Sequence, residues 1–515
     1  MENTNKNVSG SHSKSKRIAL NTSLLFVRMS FLTAINLYTV RLVLRGLGNE
    51  DYGIFNSVAG VVLIGSFISS ILSLSIQRFY SISMGENKNE YLKDIFSASI
   101  NIIFGISVFL LLFFEVFGVW FVNSQLVIPE NRIEVTHLIF QFGLFSFIFS
   151  LLQIPFMAAF FAHEDMGIYS LISTIECVLR LLVAYYIGKT NCDNLAFYGG
   201  GLLAVSIIIF LLYAIVGHIK YDECSYHKTK GLDLYKQLLS FSGWTLFGSV
   251  AAMGIIQGNI ILTNIYYGPI ITAAFAIAIQ IYNAFNTLCG SMVLAFRPAM
   301  IKAYAEENYL YLNRLFSVSN KFILYTLAAL SIPIIVEIEP ILELWLGEVS
   351  SEMLLFSRLI ILYVYILALN SPITIIMQAS GHIREYHLPV ESITLMCLPL
   401  TWLLFKFGFP SYSLFLSMIT VCLCAHVVRL ICLRRFYSLF SISDYVNKLI
   451  IPAVLIISLG VFVAYFLHAT IEDMVLRFIS VCMFVPFIIL ILSFFIGLNG
   501  EEKEYIKRMI KSYRK

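Results

Sequence analysis

The chain has 515 residues, of which 59% are apolar and 13% charged, against the roughly 25% charged residues of soluble domains. With 43 Phe, 28 Tyr and a mean hydropathy of +0.83, this balance excludes a water-soluble globular protein. The formal charge of +4 says little as a total; its distribution along the chain says more.

Residues 1–17 (MENTNKNVSGSHSKSKR) have the polar composition of a disordered cytoplasmic tail. The apolar run after them is too long for a signal peptide and lacks its cleavage site, so the first span is expected to stay in the mature protein. Apolar runs between charged or turn-rich breaks predict an all-α integral membrane protein of about 14 transmembrane helices. They lie near 18–44, 54–77, 95–122, 133–161, 168–188, 197–219, 237–265, 270–296, 317–345, 353–380, 388–407, 411–433, 448–468 and 475–497. At about 20 residues per span, each connection keeps only about 16 residues, too few for a separate soluble domain. With the N-terminus inside, 25 Lys and Arg fall on the cytoplasmic side and 6 on the other, while Arg28, Arg180, Lys321 and Arg358 lie within spans. Both termini are therefore expected to be cytoplasmic, including the basic tail 498–515. The nine cysteines mostly sit in apolar runs and read as small buried hydrophobes, and Cys192 and Cys224 fall on opposite sides of this topology.

Two stretches recur at one spacing. Arg78 to Phe96 (RFYSISMGENKNEYLKDIF) resembles Arg297 to Phe316 (RPAMIKAYAEENYLYLNRLF), offset by 219 to 220, and Pro155 to Tyr169 resembles Pro372 to Leu388, with His163 and His382 again 219 apart. The repeat unit is six helices, an even number, so its copies share orientation. This predicts two like-oriented six-helix lobes, 18–219 and 237–433, joined by a cytoplasmic linker 220–236 and followed by two C-terminal helices in 448–497. Two such bundles can rock about a site at their interface.

No Gly-rich phosphate loop with Lys-Ser/Thr, no HExxH, no paired CxxC and no long external loop is present, so no enzyme, cofactor or metal site is expected. Polar groups inside the membrane are costly and are the default site hypothesis. Arg28 lies about ten residues into the first span, and Asn21 and Thr39 share its face at 100° per residue. Ser66, Ser70, Ser73 and Gln77 line one arc of the second helix. Gln280, Thr287 and Ser291, flanked by Asn283, line one of the eighth. These stripes read either as a wet lumen or as close helix packing. Glu176 and Arg180, spaced i, i+4, read as a self-neutralising pair. Glu115 and Glu391 are lone acids and candidates for ion coupling. Glu337, Glu339 and Glu343 read as interfacial, and Arg41 and Arg45 close the external end of the first helix, where an anionic head group or simple snorkelling would account for them.

The segment Leu47 to Phe55 (LGNEDYGIF), the Arg-ending second helix with its ENKNEYLKDIF loop, the Pro155 to His163 stretch repeated at Pro372 to His382, and Leu344-Trp345-Leu346-Gly347 together resemble polysaccharide flippases. These belong to the multidrug/oligosaccharidyl-lipid/polysaccharide exporter superfamily. The resemblance covers essentially the whole chain. It implies a monomer in a bacterial inner membrane that moves an undecaprenyl-diphosphate-linked oligosaccharide, an O-antigen or capsule repeat unit, to the periplasmic leaflet. It implies membrane lipid and polysaccharide assembly enzymes as partners, no nucleic acid and no catalytic residues. A cation-coupled multidrug antiporter of the same superfamily is the alternative; there an acid in the first helix usually forms the cation site, and 18–44 holds none. A membrane polysaccharide polymerase or glycosyltransferase is the enzymatic one, and peptidoglycan-precursor flippases share the last two helices.

Overall fold

The computed structural model describes residues 2–63, 66–85, 89–163, 165–227, 232–437, 439–500 and 502–503; within helices, the side chains of 2–31 and 239–253, with scattered others, lie outside the described residues. Among the described residues every regular element is helical, and 11 helical segments, from Tyr91–Ser124 to Met474–Gly497, are long and apolar enough to cross a membrane. The chain is an all-α, multi-pass membrane protein, because lipid offers the backbone no water and a helix satisfies its own N–H and C=O groups. The predicted third to sixth and ninth to fourteenth helices each match one segment. The seventh and eighth fall together in Gly254–Gly290, and the first two run through partly described stretches.

In chain order the helices are α1 Glu2–Leu63, α2 Ser66–Gly85, α3 Asn89–Phe113, α4 Val119–Ser124, α5 Ile133–Leu152, α6 Ile154–Ala162, α7 Met166–Tyr186, α8 Asn194–Lys220 and α9 Leu232–Ala305. They continue as α10 Tyr309–Val336, α11 Ile338–Leu346, α12 Ser351–Ala368, α13 Asn370–Ala379, α14 Ile383–Leu395, α15 Cys397–Lys406, α16 Ser413–Phe436, α17 Ile442–Tyr445, α18 Ile451–Thr470 and α19 Met474–Leu492. The predicted break between the first two spans is one left-handed residue in α1, Gly48 (φ 79°), and that between the seventh and eighth is its counterpart in α9, Gly268 (φ 78°). Only glycine takes this conformation without strain, so each span reverses within one residue and needs no loop.

These glycines lie 220 apart, as do Gly188 and Gly408, both at φ 76°. At the other end of the helices, His163 stacks on Tyr221 at 4.3 Å and His382 on Phe436 at 4.4 Å. Two pairs of backbone positions and the two histidines thus recur at the spacing of the sequence repeats, while the ring partners Tyr221 and Phe436 lie 215 apart. The glycines mark one end of the bundle, here the glycine end; the two histidines mark the opposite, linker end.

One apolar core gathers residues from Ile54 to Ile261, a second joins Val43, Leu44 and Tyr52 to residues up to Cys422, and a third runs from Met300 to Ile489. α9 packs against α1, α2, α10 and α12, and α18 and α19 pack on α10. Two buried ion pairs pin the last helices and the residues after them to α10. At one end Lys321, 1% exposed, places Nζ 2.8 Å from Glu502 Oε2. Sixteen residues on, about 24 Å along the axis, the buried Glu337 accepts from His468 Nδ1 at 2.8 Å and Arg477 Nε at 3.1 Å. Glu337, near the helix end where the sequence suggested a solvated acid, is instead buried and paired. It is sealed by partners 131 and 140 residues away.

At the linker end, residues 221–227 lie on the N-terminal helices. His227 Nε2 is 2.8 Å from Asp94 Oδ1, its backbone N donates to Ser97 Oγ, and His163 Nε2 is 2.5 Å from Glu223 Oε1. Hydrogen bonds from Lys220 and Tyr221 hold the Asp165 carboxyl below the usual carboxylate range.

Removing one partner of a buried ion pair strands the other charge, at about 3–5 kcal/mol, whereas replacing both with apolar residues is often neutral. Lys321→Met is expected to lower the unfolding temperature in detergent markedly, and Lys321→Met combined with Glu502→Met to recover most of the loss. Equal losses in the single and double variants would remove this role from the pair.

Candidate functional site

The two glycine turns meet backbone to backbone. Gly53, five residues past Gly48, lies so close to the chain at Pro269 that any Cβ there would overlap the Pro269 carbonyl oxygen. Around this point further bonds close the glycine end. Trp345 Nε1 donates to Leu37 O at 2.6 Å, Arg45 Nε to Leu346 O at 3.4 Å, and Val127 N to Asn264 Oδ1 at 2.9 Å. Arg132 bridges Asp51 and Asp193 at 2.5 Å each, tying the Gly48 turn to α5 and to the start of α8. Burial pushes the Asp51 carboxyl above the usual range while Arg132 pulls it back. Asp193 also caps α8 by accepting from Leu195 N and Ala196 N.

Beneath this closure a cavity of about 520 Å³ opens between α1, the second half of α9, α10 and α11, within the roughly 300–1,000 Å³ of ligand pockets. Its wall is apolar, with Leu37, Phe285, Leu342 and Trp345 among its residues and Thr33 and Thr287 as hydroxyls. A second cavity of about 310 Å³ lies beside it at the glycine end, lined by Arg45, Asn49, Gly347 and Glu348.

The sequence candidates fall into several settings. The side chains of Asn21, Arg28, Ser66, Ser70 and Ser291 lie outside the described residues. Thr287 lines the large cavity and donates to Asn283 O at 2.8 Å; Thr39 donates to Ile35 O at 2.8 Å. Each hydroxyl is thus partly satisfied by its own helix, the packing arrangement open to Ser and Thr in lipid. Ser73 and Gln77 are half-buried in α2, Asn283 is exposed, and Gln280 lies beside the Tyr52 hydroxyl. Arg180 Nη2 is 2.8 Å from Glu176 Oε1, and the pair is exposed, Arg180 by 45% of its side chain. Glu115 sits in a π-helical turn, Phe114–Gly118, and accepts from Gln141 Nε2 at 3.1 Å. Glu391 lies 3.3 Å from His387 Nδ1. Neither acid is alone, as both seemed in the sequence.

Sequence reasoning missed a polar network inside the C-terminal helices. The buried His426 bonds Asn370 Oδ1 through Nδ1 at 2.8 Å and the Tyr445 hydroxyl through Nε2 at 3.1 Å. Beside it Arg429 Nε donates to the Tyr386 hydroxyl, which contacts Thr374 Oγ1 at 2.8 Å. Arg429 lies inside the predicted span 411–433, and Asn370 and His426, polar residues within apolar runs, are the available signal. Among the described residues no cluster of His, Cys, Asp and Glu suits a metal ion.

No family profile matches the chain. A curated relative, the uncharacterized membrane protein EpsK of Bacillus subtilis, is 22% identical over 326 residues, 61% of this chain, and the match spans only 62% of that relative's length. Among solved structures, the lipid II flippase MurJ in an inward closed conformation aligns with a TM-score of 0.71 and 15% identity over 91% of this chain and 98% of that one. An inward-facing MATE multidrug resistance transporter of the MOP superfamily aligns at 0.66 with 14% identity, over 81% of this chain and 99% of that one. An outward-facing one aligns at 0.57 with 13% identity, over 80% and 95%. The chain has the fold these transporters share.

The Gly53 contact yields a direct test. Gly53→Ala forces the two turns apart, an overpacking that costs about 1–3 kcal/mol, so its unfolding temperature should fall. Gly254→Ala, where a Cβ meets nothing within 4 Å, should leave stability unchanged or raise it, since alanine is the better helix former. Equal stability of Gly53→Ala and Gly254→Ala, read by thermal unfolding in detergent, would show that the turns do not press together.

Proposed function

We propose that the chain is a flippase that carries an undecaprenyl-diphosphate-linked oligosaccharide repeat unit across a bacterial inner membrane for O-antigen or capsule assembly. In this reading two lobes, 18–219 and 237–433, rock against each other with the linker 220–236 and both tails in the cytoplasm. The glycine end then faces the periplasm, closed by the Gly53 contact. The recurrence of left-handed glycines at a 220-residue spacing supports the paired lobes.

The observation that carries the lipid-linked substrate is the extent of the structural match. The share of this chain aligned is 81% for the inward-facing MATE transporter and 91% for MurJ. The difference is about 50 residues in favour of the lipid II flippase, and the helices in 448–497 are bound to α10 by the Glu337–Arg477 pair. An apolar cavity beside α1 suits a polyprenyl chain. A multidrug antiporter shares the fold, but the first span carries no Asp or Glu to hold a coupling cation.

A diphosphate needs cations in a hydrated cavity. Arg28 is the first candidate, since an arginine roughly 15 Å from the cytoplasmic end of a helix is costly facing lipid. The exposed Arg180, on the spanning helix α7, is the second. Asn21, Thr39, Ser73, Gln77, Gln280, Asn283 and Thr287 are the proposed sugar donors and acceptors, and Glu115 and Glu391 the proposed coupling groups.

Deleting the gene should leave lipid-linked repeat units on the cytoplasmic face, and Arg28→Ala at normal protein level should reproduce the defect with at least a tenfold fall in exported polymer. Full export in the deletion strain would overturn the reading. Full export in Arg28→Ala alone would remove that residue from the site.

A further inference from the structure

The two cavities at the glycine end adjoin each other, and their linings differ in kind. Leu37 on α1 and Trp345 on α11 line the large apolar cavity, while Leu44 and Arg45, two turns further along α1, and Leu346, the residue after Trp345, line the polar one. The Trp345 indole, bonded to Leu37 O, stands at the junction. Together they make a site with a long greasy wall and one charged end, the shape of a lipid with a small anionic head.

The charged end is prepared for an anion. Arg45 is exposed, and among the described residues its guanidinium makes a single hydrogen bond, the 3.4 Å contact to Leu346 O, and no ion pair. Most of its five N–H donors remain available. The guanidinium lies against Gly347, where a Cβ would come within 3.2 Å of Nη2 and where φ is 99°, so glycine both makes the turn and leaves the space. Glu348 lines the same cavity without pairing with Arg45, and Asn49 adds an amide.

We propose that this composite cavity binds a single-chain isoprenoid lipid phosphate in the leaflet at the glycine end, with the phosphate on Arg45 and the isoprenoid chain against Leu37, Leu342 and Trp345. It deepens the flippase reading and rests on it for the choice of lipid. A planar guanidinium with free donors takes a phosphate through two parallel hydrogen bonds, which an ammonium cannot do. The apolar wall lies between α1 and the α10–α11 stretch and suits one chain, whereas a glycerophospholipid brings two. On the proposed orientation this is where the translocated carrier meets the periplasmic leaflet.

The test uses the full-length protein in detergent, with geranylgeranyl monophosphate as probe and binding measured by native mass spectrometry. The wild type is expected to bind the probe, and geranylgeraniol and inorganic phosphate at least tenfold more weakly. Arg45→Gln should lose about tenfold, Arg45→Lys should recover only part, and Glu348→Gln should bind more tightly because a like charge has left the cavity. Each variant's unfolding temperature separates lost binding from lost fold, and Leu342→Trp, which fills the apolar wall and keeps Arg45, gives a second route to the same loss. Unchanged binding in both Arg45→Gln and Leu342→Trp would overturn the site, as would equal binding of dioleoyl phosphatidic acid, which would make it a general phospholipid site. These outcomes are independent of the export phenotype. Arg45-dependent binding in a protein whose deletion leaves lipid-linked units exported would retain the site and sink the flippase reading.

Discussion

The structure depends on one close approach. Two helical spans reverse direction at Gly48 and two at Gly268, each through a single left-handed residue, and the resulting turns press together with Gly53 against Pro269. Backbone contact at this distance is possible only where one side carries no Cβ. Because both turns are rigid continuations of long helices, whatever separates them must tilt those helices as units. The bonds from Trp345, Arg45 and Val127 surround that point, so beside the apolar packing of Val43, Leu44 and Tyr52 the polar contacts around the glycine contact are a few hydrogen bonds and the Arg132 bridge. Such an arrangement is firm enough to close a bundle and weak enough to reopen, since a typical hydrogen bond contributes only about 1 kcal/mol net.

Charge in this molecule is sorted by what it must do. Where helices have to stay together, ionised groups are buried and paired, as Lys321 with Glu502 and Glu337 with Arg477 and His468. Where the chain leaves the membrane, they lie on the surface in pairs such as His227 with Asp94. Arg45 differs from both groups, whereas Arg180 belongs to a further surface pair. Arg45 is exposed with no carboxylate among the described residues, and Arg180 is exposed beside a single acid on its own helix. In a protein with so few charges, an exposed and unpaired guanidinium next to an apolar cavity is an expensive feature to keep, which is why Arg45 enters the functional proposals.

How much of this the sequence revealed follows from the range of the interactions. Helical spans are legible because lipid imposes apolar runs of one length, and ten of the expected fourteen find a segment of their own. The spacing of Glu176 and Arg180 reveals their contact because it is local. The period of 219 to 220 is legible because the same turns were written twice, though nothing in the letters said that Gly48 and Gly268 would be left-handed or would meet. Glu337 was misread for the opposite reason: its partners are more than 130 residues away, so a residue near a helix end looked solvated and is sealed. Glu115 looked alone because Gln141 lies on another helix, whereas the His387 partner of Glu391, one turn away, was legible in the spacing and went unread. The cavity beside α1 left no sequence signal of its own, because Leu37, Phe285 and Leu342 are indistinguishable in the sequence from lipid-facing neighbours.

The proposed transport cycle requires the glycine end to open and close. It is tested most directly by the distance across that end in membranes, measured by electron–electron resonance between spin labels at Glu130 and Lys406, both exposed, in a variant without native cysteines. Two distance populations are expected, whose ratio shifts when lipid-linked oligosaccharide is added, with Gly53→Ala enriching the longer one before any substrate is present. A single distance, unchanged by substrate and by Gly53→Ala, would contradict this cycle.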